Sequence, residues 1–269
     1  MFRLAFRRDM EKRLNRKTAI VTGSNRGIGR AIAIRLAAEG ARVVLCARDE
    51  SLLKQAVREI EGAGGTAAAL SLDLRTSDAP ARLVDFAAAR YGQIDIVVNN
   101  AGATKRADFF ALSEEDWADG FALKFFGAVR LTRAAWPYLK ANRGSVLNIS
   151  GVGGRMPGPQ FTIGGSVNAA LLSFSKAMAD VGIRDGVQVN VVNPGSIRTG
   201  RFRSILEAQA AEQGIDTLAA ERKIVENARI TRIGEPEDIA ALAAFVVSPE
   251  GRLLQGALID MDGGATKVM

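Results

Sequence analysis

Beyond residue 17, short apolar runs rich in β-branched residues alternate with longer stretches in which apolar residues recur every three or four positions. The short runs predict buried parallel strands, and the amphipathic stretches predict the helices that connect them. One helix is expected over 28–39, where Ile28, Ile32 and Leu36 share a face and Gly40 follows. The predicted strands are Thr18–Thr22, Arg42–Cys46, Thr66–Leu72, Ile94–Asn99, Ser145–Ile149, Val187–Val192 and Leu258–Met261.

This alternation predicts an α/β fold, a single-domain Rossmann-like doubly wound sheet of about seven parallel strands. A chain of 269 residues with 48% hydrophobic content is sufficient for one large core. The domain is expected over 17–269, after a basic N-terminal extension over 1–16. For that extension we favour a disordered segment, or an early start codon with Met10 as the true beginning, over an arm that touches a surface or membrane.

The net charge of +7 arises from Lys and Arg that are spread along the chain without interleaved aromatic residues, so no nucleic-acid partner is expected. No apolar run reaches the roughly 18 residues of a membrane span, and no membrane partner is expected. The single cysteine, Cys46, and the absence of a signal-type apolar run predict a cytoplasmic protein. No metal site is predicted.

The segment "TGSNRGIGRAIA" at 22–33 places Gly23, Gly27 and Gly29 between a predicted strand and a predicted helix. Such a turn lets the backbone approach a pyrophosphate and aims N–H groups at it. Ligands of doubly wound sheets bind beyond the carboxyl ends of the strands, so a nucleotide is expected at this edge. The spacing is T-G-x-x-x-G-I-G rather than the usual G-x-G-x-x-G.

With this motif, the chain after residue 16 resembles the short-chain dehydrogenase/reductase family. "LDL" at 72–74 is similar to the family's adenine-pocket turn, and "NNAG" at 99–102 to the end of its fourth strand. "NPGSIRT" at 193–199 is similar to the segment that holds the nicotinamide end, and "MDGG" at 261–264 to a turn that often helps to build oligomers. The cofactor-binding residues expected from the resemblance and from charge are Gly23, Asn25, Arg26, Gly27, Ile28, Gly29, Arg48, Asp73, Leu74, Asn100, Ala101, Gly102, Pro194, Gly195, Ile197 and Thr199.

The end of the second strand indicates which nicotinamide cofactor is bound. A carboxylate at that position would accept hydrogen bonds from the ribose 2′-OH of NAD, but the sequence has Ala47 followed by Arg48. Guanidinium groups bind phosphate bidentately, so Arg48 and Arg26 predict a clamp for the 2′-phosphate and hence NADP(H). The alternative is that both arginines only face solvent.

The resemblance also implies four catalytic residues, namely an Asn, a Ser, a Tyr and a Lys, with the Tyr as acid/base. At the aligned positions this sequence carries Lys124, Gly151, Gly164 and Asn168. Ser150 lies one residue before the serine position, and the two tyrosines, Tyr91 and Tyr138, lie elsewhere. The usual phenolic proton relay is therefore expected to be absent, and the candidate catalytic residues are Lys124, Ser150 and Asn168.

Two interpretations of this altered centre stay open. In the first, Lys124 holds a substrate carboxylate or stabilises a developing oxyanion, and Ser150 or Thr162 supplies a hydrogen bond. In the second, Lys124 and Asn168 pair with backbone groups and only brace the fold. In either case the two glycines at the usual Ser and Tyr positions are expected to widen the pocket by one side chain each.

The segment over 198–230 is expected to form helices with a flexible lid over the site. Arg198, Arg201 and Arg203 at its start either attract an anionic substrate or a coenzyme A tail, or form a solvated charged face, which we favour. The Ala-, Leu- and Phe-rich helices expected over 113–142 and 160–182 predict a homodimer or homotetramer.

The favoured function is therefore an NADP(H)-dependent oxidoreductase acting on a carbonyl or alcohol of a small-molecule substrate, with a non-standard active site. Two alternatives remain on the same fold: a non-redox lyase or isomerase, and a catalytically silent NADP(H)-binding sensor.

Overall fold

The computed structural model describes residues 12–267, which fold around one seven-stranded parallel sheet. The strands lie in the order β3-β2-β1-β4-β5-β6-β7, with the crossover between the two halves at β1 and β4. Their bounds are β1 Thr18–Thr22, β2 Arg42–Ala47, β3 Thr66–Ser71, β4 Ile96–Asn99, β5 Ser145–Ile149, β6 Gln188–Pro194 and β7 Leu258–Met261. The predicted single-domain doubly wound fold is confirmed, with small differences at the strand ends.

Helices cover both faces of this sheet. The helices are α1 Gly27–Ala38, α2 Glu50–Gly62, α3 Ala79–Tyr91, α4 Glu114–Gly120, α5 Gly127–Asn142, α6 Thr162–Asp185, α7 Gly200–Gln213, α8 Thr217–Ala228 and α9 Pro236–Val246. Successive side chains of a strand point to opposite faces, so Ala19 and Val21 pack with α1, α2 and α9, while Ile20 packs with α3, α5 and α6. All parallel strands end at one edge of the sheet, where the loops form a cleft.

The helix predicted over 113–142 is interrupted. Ser113 and Asp116 form a capping box at the start of α4, and a π-helical segment, Phe121–Phe126, separates α4 from α5. A π-helix has i→i+5 hydrogen bonds and often occurs at functional sites. This segment carries Lys124.

Residues 12–16 of the predicted N-terminal extension pack against the domain. Leu14 is 1% exposed in the core, and Arg13 forms ion pairs with Glu39 and Glu250. The hydrogen bond from Arg13 holds the pKa of Glu39 at about 2. Met10 and the rest of the predicted extension lie outside the described residues. Between residues 12 and 267, no helix is long and apolar enough to cross a membrane.

The segment predicted to form a lid contains the helices α7 and α8, which share a small apolar cluster of their own. Phe202 and Leu206 of α7 are buried there against Ala220 of α8. Thr199 caps α7 by accepting a hydrogen bond from the backbone N–H of Phe202 at 3.4 Å. This cap fixes the start of α7 beside the glycine turn, since Gly27 approaches the Thr199 side chain.

Candidate active site

A cleft of about 1150 Å³ opens at the carboxyl edge of the sheet. Every cofactor-binding residue predicted from the sequence lines this cleft, from Gly23 in the first loop to Thr199 after β6. Lys124, Ser150, Gly151 and Asn168 also line it, whereas Gly164 is not part of the lining. The fold therefore brings the dispersed motifs together at one site.

The glycine turn leaves backbone atoms in close contact. Gly23 has a φ of +63°, a conformation that favours glycine, and a Cβ on Gly29 would overlap the carbonyl of Gly23 and the side-chain amide of Asn100. Asn100 donates from Nδ2 to the carbonyl of Thr22 at 2.9 Å, and Thr22 Oγ1 accepts from the backbone N–H of Asn100 at 3.0 Å. These bonds fix β1 and the segment after β4 around a cradle shaped for a pyrophosphate.

Positive charge surrounds the outer end of the cleft. Arg48 is largely exposed, with Nη1 3.8 Å from Oδ2 of Asp73, and Asp73 Oδ1 accepts from the backbone N–H of Arg75 at 3.1 Å. Within the described residues, Arg26 has no carboxylate within ion-pair distance. A cradle next to two guanidinium groups fits a dinucleotide that carries an additional 2′-phosphate.

Lys124 lies at the floor of the cleft. Its Nζ donates to the carbonyl oxygen of Ser150 at 2.7 Å, and its stem runs against Gly102, where a Cβ would stand 2.8 Å from Lys124 Cδ. Burial of the ammonium group, and secondarily the positive charge of Arg201, lower the pKa of Lys124 from 10.5 to about 7. Lys124 can therefore exist in both protonation states near neutral pH.

Ser150 and Asn168 connect β5 to α6 beneath this lysine. Ser150 Oγ donates to the backbone carbonyl of Asn168 at 3.2 Å, so the hydroxyl is engaged with the helix. Asn168 is 3% exposed, and its Oδ1 has no hydrogen-bond partner among residues 12–267. Thr162 is not part of the cleft lining.

The expectation that Gly151 and Gly164 widen the pocket is wrong for both. The Phe161 ring fills the space beside Gly164, where an added Cβ would overlap the ring. A Cβ on Gly151 would lie 3.0 Å from Nδ2 of Asn168, so the amide already occupies much of that space. Neighbouring side chains therefore occupy the space beside both glycines.

Two side chains that sequence analysis did not select also shape the cleft. Arg106 lies over the Phe161 ring, with its guanidinium carbon 4.5 Å from the ring centroid, and both residues line the cleft. Neither belongs to a motif, and no local pattern signals that they meet.

The three arginines at the start of the lid segment have different surroundings. Arg198 forms ion pairs with Glu221 and Glu235, which hold its side chain to the surface of the domain. Arg201 and Arg203 are both exposed, but only Arg201 lines the cleft. Partial burial, and then the charges of Arg106 and Arg26, lower the pKa of Arg201.

Comparison with known proteins identifies the class of this fold and cleft. A family profile described as enoyl-(acyl carrier protein) reductase matches residues 23–266. An uncharacterized oxidoreductase of Mycobacterium tuberculosis is 38% identical over 257 residues, which cover 94% of each chain. The chain therefore belongs to the short-chain dehydrogenase/reductase family of oxidoreductases.

Solved structures of similar proteins contain NADP or NADPH. L-sorbose reductase from Gluconobacter frateurii, complexed with NADPH and L-sorbose, is 30% identical with a TM-score of 0.92, covering 97% of this chain and 100% of its own. A short chain dehydrogenase from Burkholderia cenocepacia in complex with NADP is 32% identical with a TM-score of 0.84, covering 94% of this chain and 99% of its own. Both of these relatives bind a dinucleotide with a 2′-phosphate, the kind of ligand that the glycine cradle and its two arginines fit.

Proposed function

We propose that this protein is an NADP(H)-dependent oxidoreductase that interconverts a carbonyl and an alcohol on a small-molecule substrate, with Lys124 in the role that a tyrosine has in most of the family. The observation that carries the proposal is the position of Lys124, whose ammonium group lies on the floor of the cofactor cleft within hydrogen-bond distance of Ser150.

The cofactor would be held by the residues that line the outer cleft. The backbone of the glycine turn would hold the pyrophosphate, and Arg26 and Arg48 would hold the 2′-phosphate. Thr199 and the backbone from Pro194 to Ile197 would hold the nicotinamide end, as the family resemblance implies. Bound NADPH supplies the hydride that reduces the carbonyl carbon.

Lys124 would stabilise and then neutralise the charge that develops on the carbonyl oxygen. Its ammonium group donates a hydrogen bond to that oxygen and transfers one proton to it, which leaves an alcohol and a neutral amine. The amine recovers its proton from water. A pKa of about 7 suits this role, because a general acid is most effective when its pKa is near the working pH.

The absence of a tyrosine from the cleft agrees with this assignment. Phe161 fills the space next to Gly164 but has no proton to transfer, and the hydroxyl of Ser150 is engaged with the backbone of Asn168. Lys124 is therefore the proton donor that this centre offers. Ser150 and Asn168 act as positioning residues, since the Ser150 carbonyl orients the ammonium and Asn168 anchors Ser150 to α6.

The test is reduction of a panel of ketones and aldehydes with NADPH by the wild-type protein and by Lys124→Met. We expect the variant to lose about 10²- to 10⁴-fold in turnover, the usual contribution of a positioned general acid, and to keep its affinity for NADPH. Lys176→Met, which removes an exposed lysine of α6, is the matched control and should retain full turnover.

A second variant separates proton transfer from electrostatic attraction. Lys124→Arg keeps the positive charge, but a guanidinium does not release its proton near neutral pH, so this variant should remain inactive. Full activity of Lys124→Arg would show that Lys124 stabilises negative charge on the substrate oxygen but does not transfer a proton to it. Tight NADPH binding without turnover of any carbonyl by the wild type would instead support the silent-sensor alternative.

We also propose that the chain acts as a homodimer or homotetramer through α5 and α6. These helices border an open apolar groove on the sheet face opposite α1, with Trp136 and Phe174 in its lining. A monomer of 28.6 kDa in size-exclusion chromatography would contradict this assignment. The predicted cytoplasmic location stays a prediction.

A further inference from the structure

Positive charges that lack acidic partners converge on the inner half of the cleft. Among residues 12–267, neither Arg106 nor Arg201 has a carboxylate within ion-pair distance, although Arg198, close to Arg201 in the chain, is paired with Glu221 and Glu235. Lys124 lies in the same cleft, and its only hydrogen-bond partner in the described part of the chain is a neutral carbonyl. Like charges that line one cleft repel one another, so this arrangement favours binding of an anion.

Arg106 is oriented toward this space by its stacking on Phe161. The guanidinium lies 4.5 Å from the ring centroid, and the same ring packs against Gly164 of α6 and Gly153 after β5. A cation over an aromatic face contributes about 0.5–2 kcal/mol, which is enough to favour one side-chain position. Arg106 is therefore held on the α6 side of the cleft.

Arg201 lines the same cleft and is close enough to Arg106 and to Arg26 of the glycine turn for their charges to act on it. Its charge is one of the two causes that lower the pKa of Lys124, and the charge of Arg106 in turn lowers the pKa of Arg201. Both arginines are exposed to the open cleft, and these effects require the charges to lie close together within it. Arg201 also stands at the first turn of α7, where the helix dipole adds to the positive potential.

We propose that Arg106 and Arg201 form a binding site for an anionic group of the substrate, a carboxylate or a phosphate, beside the carbonyl that Lys124 faces. This inference rests on the proposed function and specifies its substrate class. Two guanidinium groups from different loops bind such a group through charge-assisted hydrogen bonds, and their separation from Lys124 sets the distance between the anion and the reacting carbonyl.

The pyrophosphate of the cofactor is the other anion that Arg201 can reach, because the charge of Arg26 in the glycine turn also acts on Arg201. The two sources make different predictions. An arginine that binds the substrate anion affects only substrates that carry one, whereas an arginine that binds the cofactor affects NADPH affinity and all substrates alike.

The test uses keto acids whose ketone and carboxylate are separated by one to four carbons, each paired with its methyl ester. We expect the wild type to prefer the acid of at least one spacing. Arg106→Gln and Arg201→Gln should each lower kcat/KM for that acid by roughly 10- to 100-fold, the usual effect of losing a hydrogen bond to a charged group. The ester and the Kd for NADPH should change less than about threefold. Arg203→Gln, on the same helix but outside the cleft lining, is the control.

Each other outcome overturns the inference and can be told apart from failure of the proposed function. Equal reduction of every acid and its ester would refute the anion site but leave the oxidoreductase intact. A parallel loss of NADPH affinity and of ester reduction in Arg201→Gln would assign that arginine to the cofactor.

Binding measurements cover the case in which no keto compound is reduced and the proposed function fails. The same acids and esters are titrated calorimetrically into the protein with NADP⁺. Binding of an acid that is lost in the Arg106→Gln/Arg201→Gln double variant would uphold the anion site. Equal binding of acid and ester, or no binding of any acid, would refute it.

Discussion

The charge of Lys124 should reduce the stability of the folded protein at low pH. Burial, followed by the neighbouring charge of Arg201, lowers the pKa of this lysine from 10.5 to about 7. Below pH 7 the ammonium is charged in the folded chain, and the full free-energy cost of burying that charge lowers the stability of the fold. Above pH 10.5 the amine is neutral in both the folded and the unfolded chain, and that cost is absent.

The direction of the effect follows from proton binding. Between pH 7 and pH 10.5 the unfolded chain binds a proton that the folded chain does not, so the free energy of unfolding rises with pH across this range. Each pKa unit corresponds to about 1.4 kcal/mol, so the shift costs at most about 5 kcal/mol. The Lys124 side chain keeps some exposure to solvent, which screens its charge, so the free-energy cost is smaller than about 5 kcal/mol.

Replacing the lysine removes this pH dependence. We expect the free energy of unfolding of Lys124→Met minus that of wild type to be about 2 kcal/mol more positive at pH 6 than at pH 9. Loss of the hydrogen bond to the Ser150 carbonyl lowers the stability of the variant by about 1 kcal/mol at both pH values. The difference between the two pH values, rather than either value alone, is therefore the diagnostic quantity.

The assay is urea unfolding of the wild type and Lys124→Met at pH 6, 7.5 and 9, without cofactor. Lys176→Met serves as the control for loss of an exposed lysine, and its difference from wild type should be the same at all three pH values. If the stability curves of Lys124→Met and wild type run parallel across this range, the ammonium is not destabilised in the folded state. The role of Lys124 as a proton donor near pH 7 would then lose its physical basis.

Two further predictions concern the arginines at the cofactor end and the space beside Gly164. The double variant Arg26→Gln/Arg48→Gln should weaken NADPH binding by roughly 10- to 100-fold and leave NADH binding nearly unchanged, as measured by fluorescence titration; equal weakening of both would refute a 2′-phosphate clamp. Gly164→Ala should stabilise the Phe161→Ala protein by about 0.5 kcal/mol, since Gly164 lies in the first turn of α6 and glycine loses more backbone entropy there than alanine, but should give no gain in wild type, where the ring fills the space. If Gly164→Ala changes the free energy of unfolding by the same amount with and without the Phe161 ring, as measured by urea unfolding, the contact between the ring and Gly164 is contradicted.

Much of the fold follows from local patterns. Strands such as β1 and β5 have the predicted bounds, because a buried parallel strand is a continuous apolar run that ends in a turn. The π-helical segment before α5 was not predicted, since its apolar residues also fit an ordinary α-helix. That segment packs against α6, with the Phe125 and Phe174 ring centroids 6.1 Å apart, and a periodicity argument does not include such contacts.

The candidate site also has parts that the sequence predicted and parts that it did not. The cofactor residues from Gly23 to Gly29 are adjacent in the chain, and the sheet brings the other motifs to the same edge, so their common location was predictable. The place of Phe161 was not, because nothing in the spacing of 161 and 164 indicates that the ring folds back over the glycine. Arg106 was missed for a related reason: its partner lies 55 positions later and on a different element.

The sequence by itself determined the fold class and the nucleotide cradle, because each depends on residue type and on short-range spacing. Only the tertiary structure decided what occupies the space beside Gly164. Whether a glycine leaves a void or a space filled by a neighbour depends on side chains that are distant in the chain, and interiors are packed too densely to leave such a space empty. The pKa of Lys124 was likewise decided by folding, since burial and the charge of Arg201 act only once α7 and the π-helical segment face the same cleft.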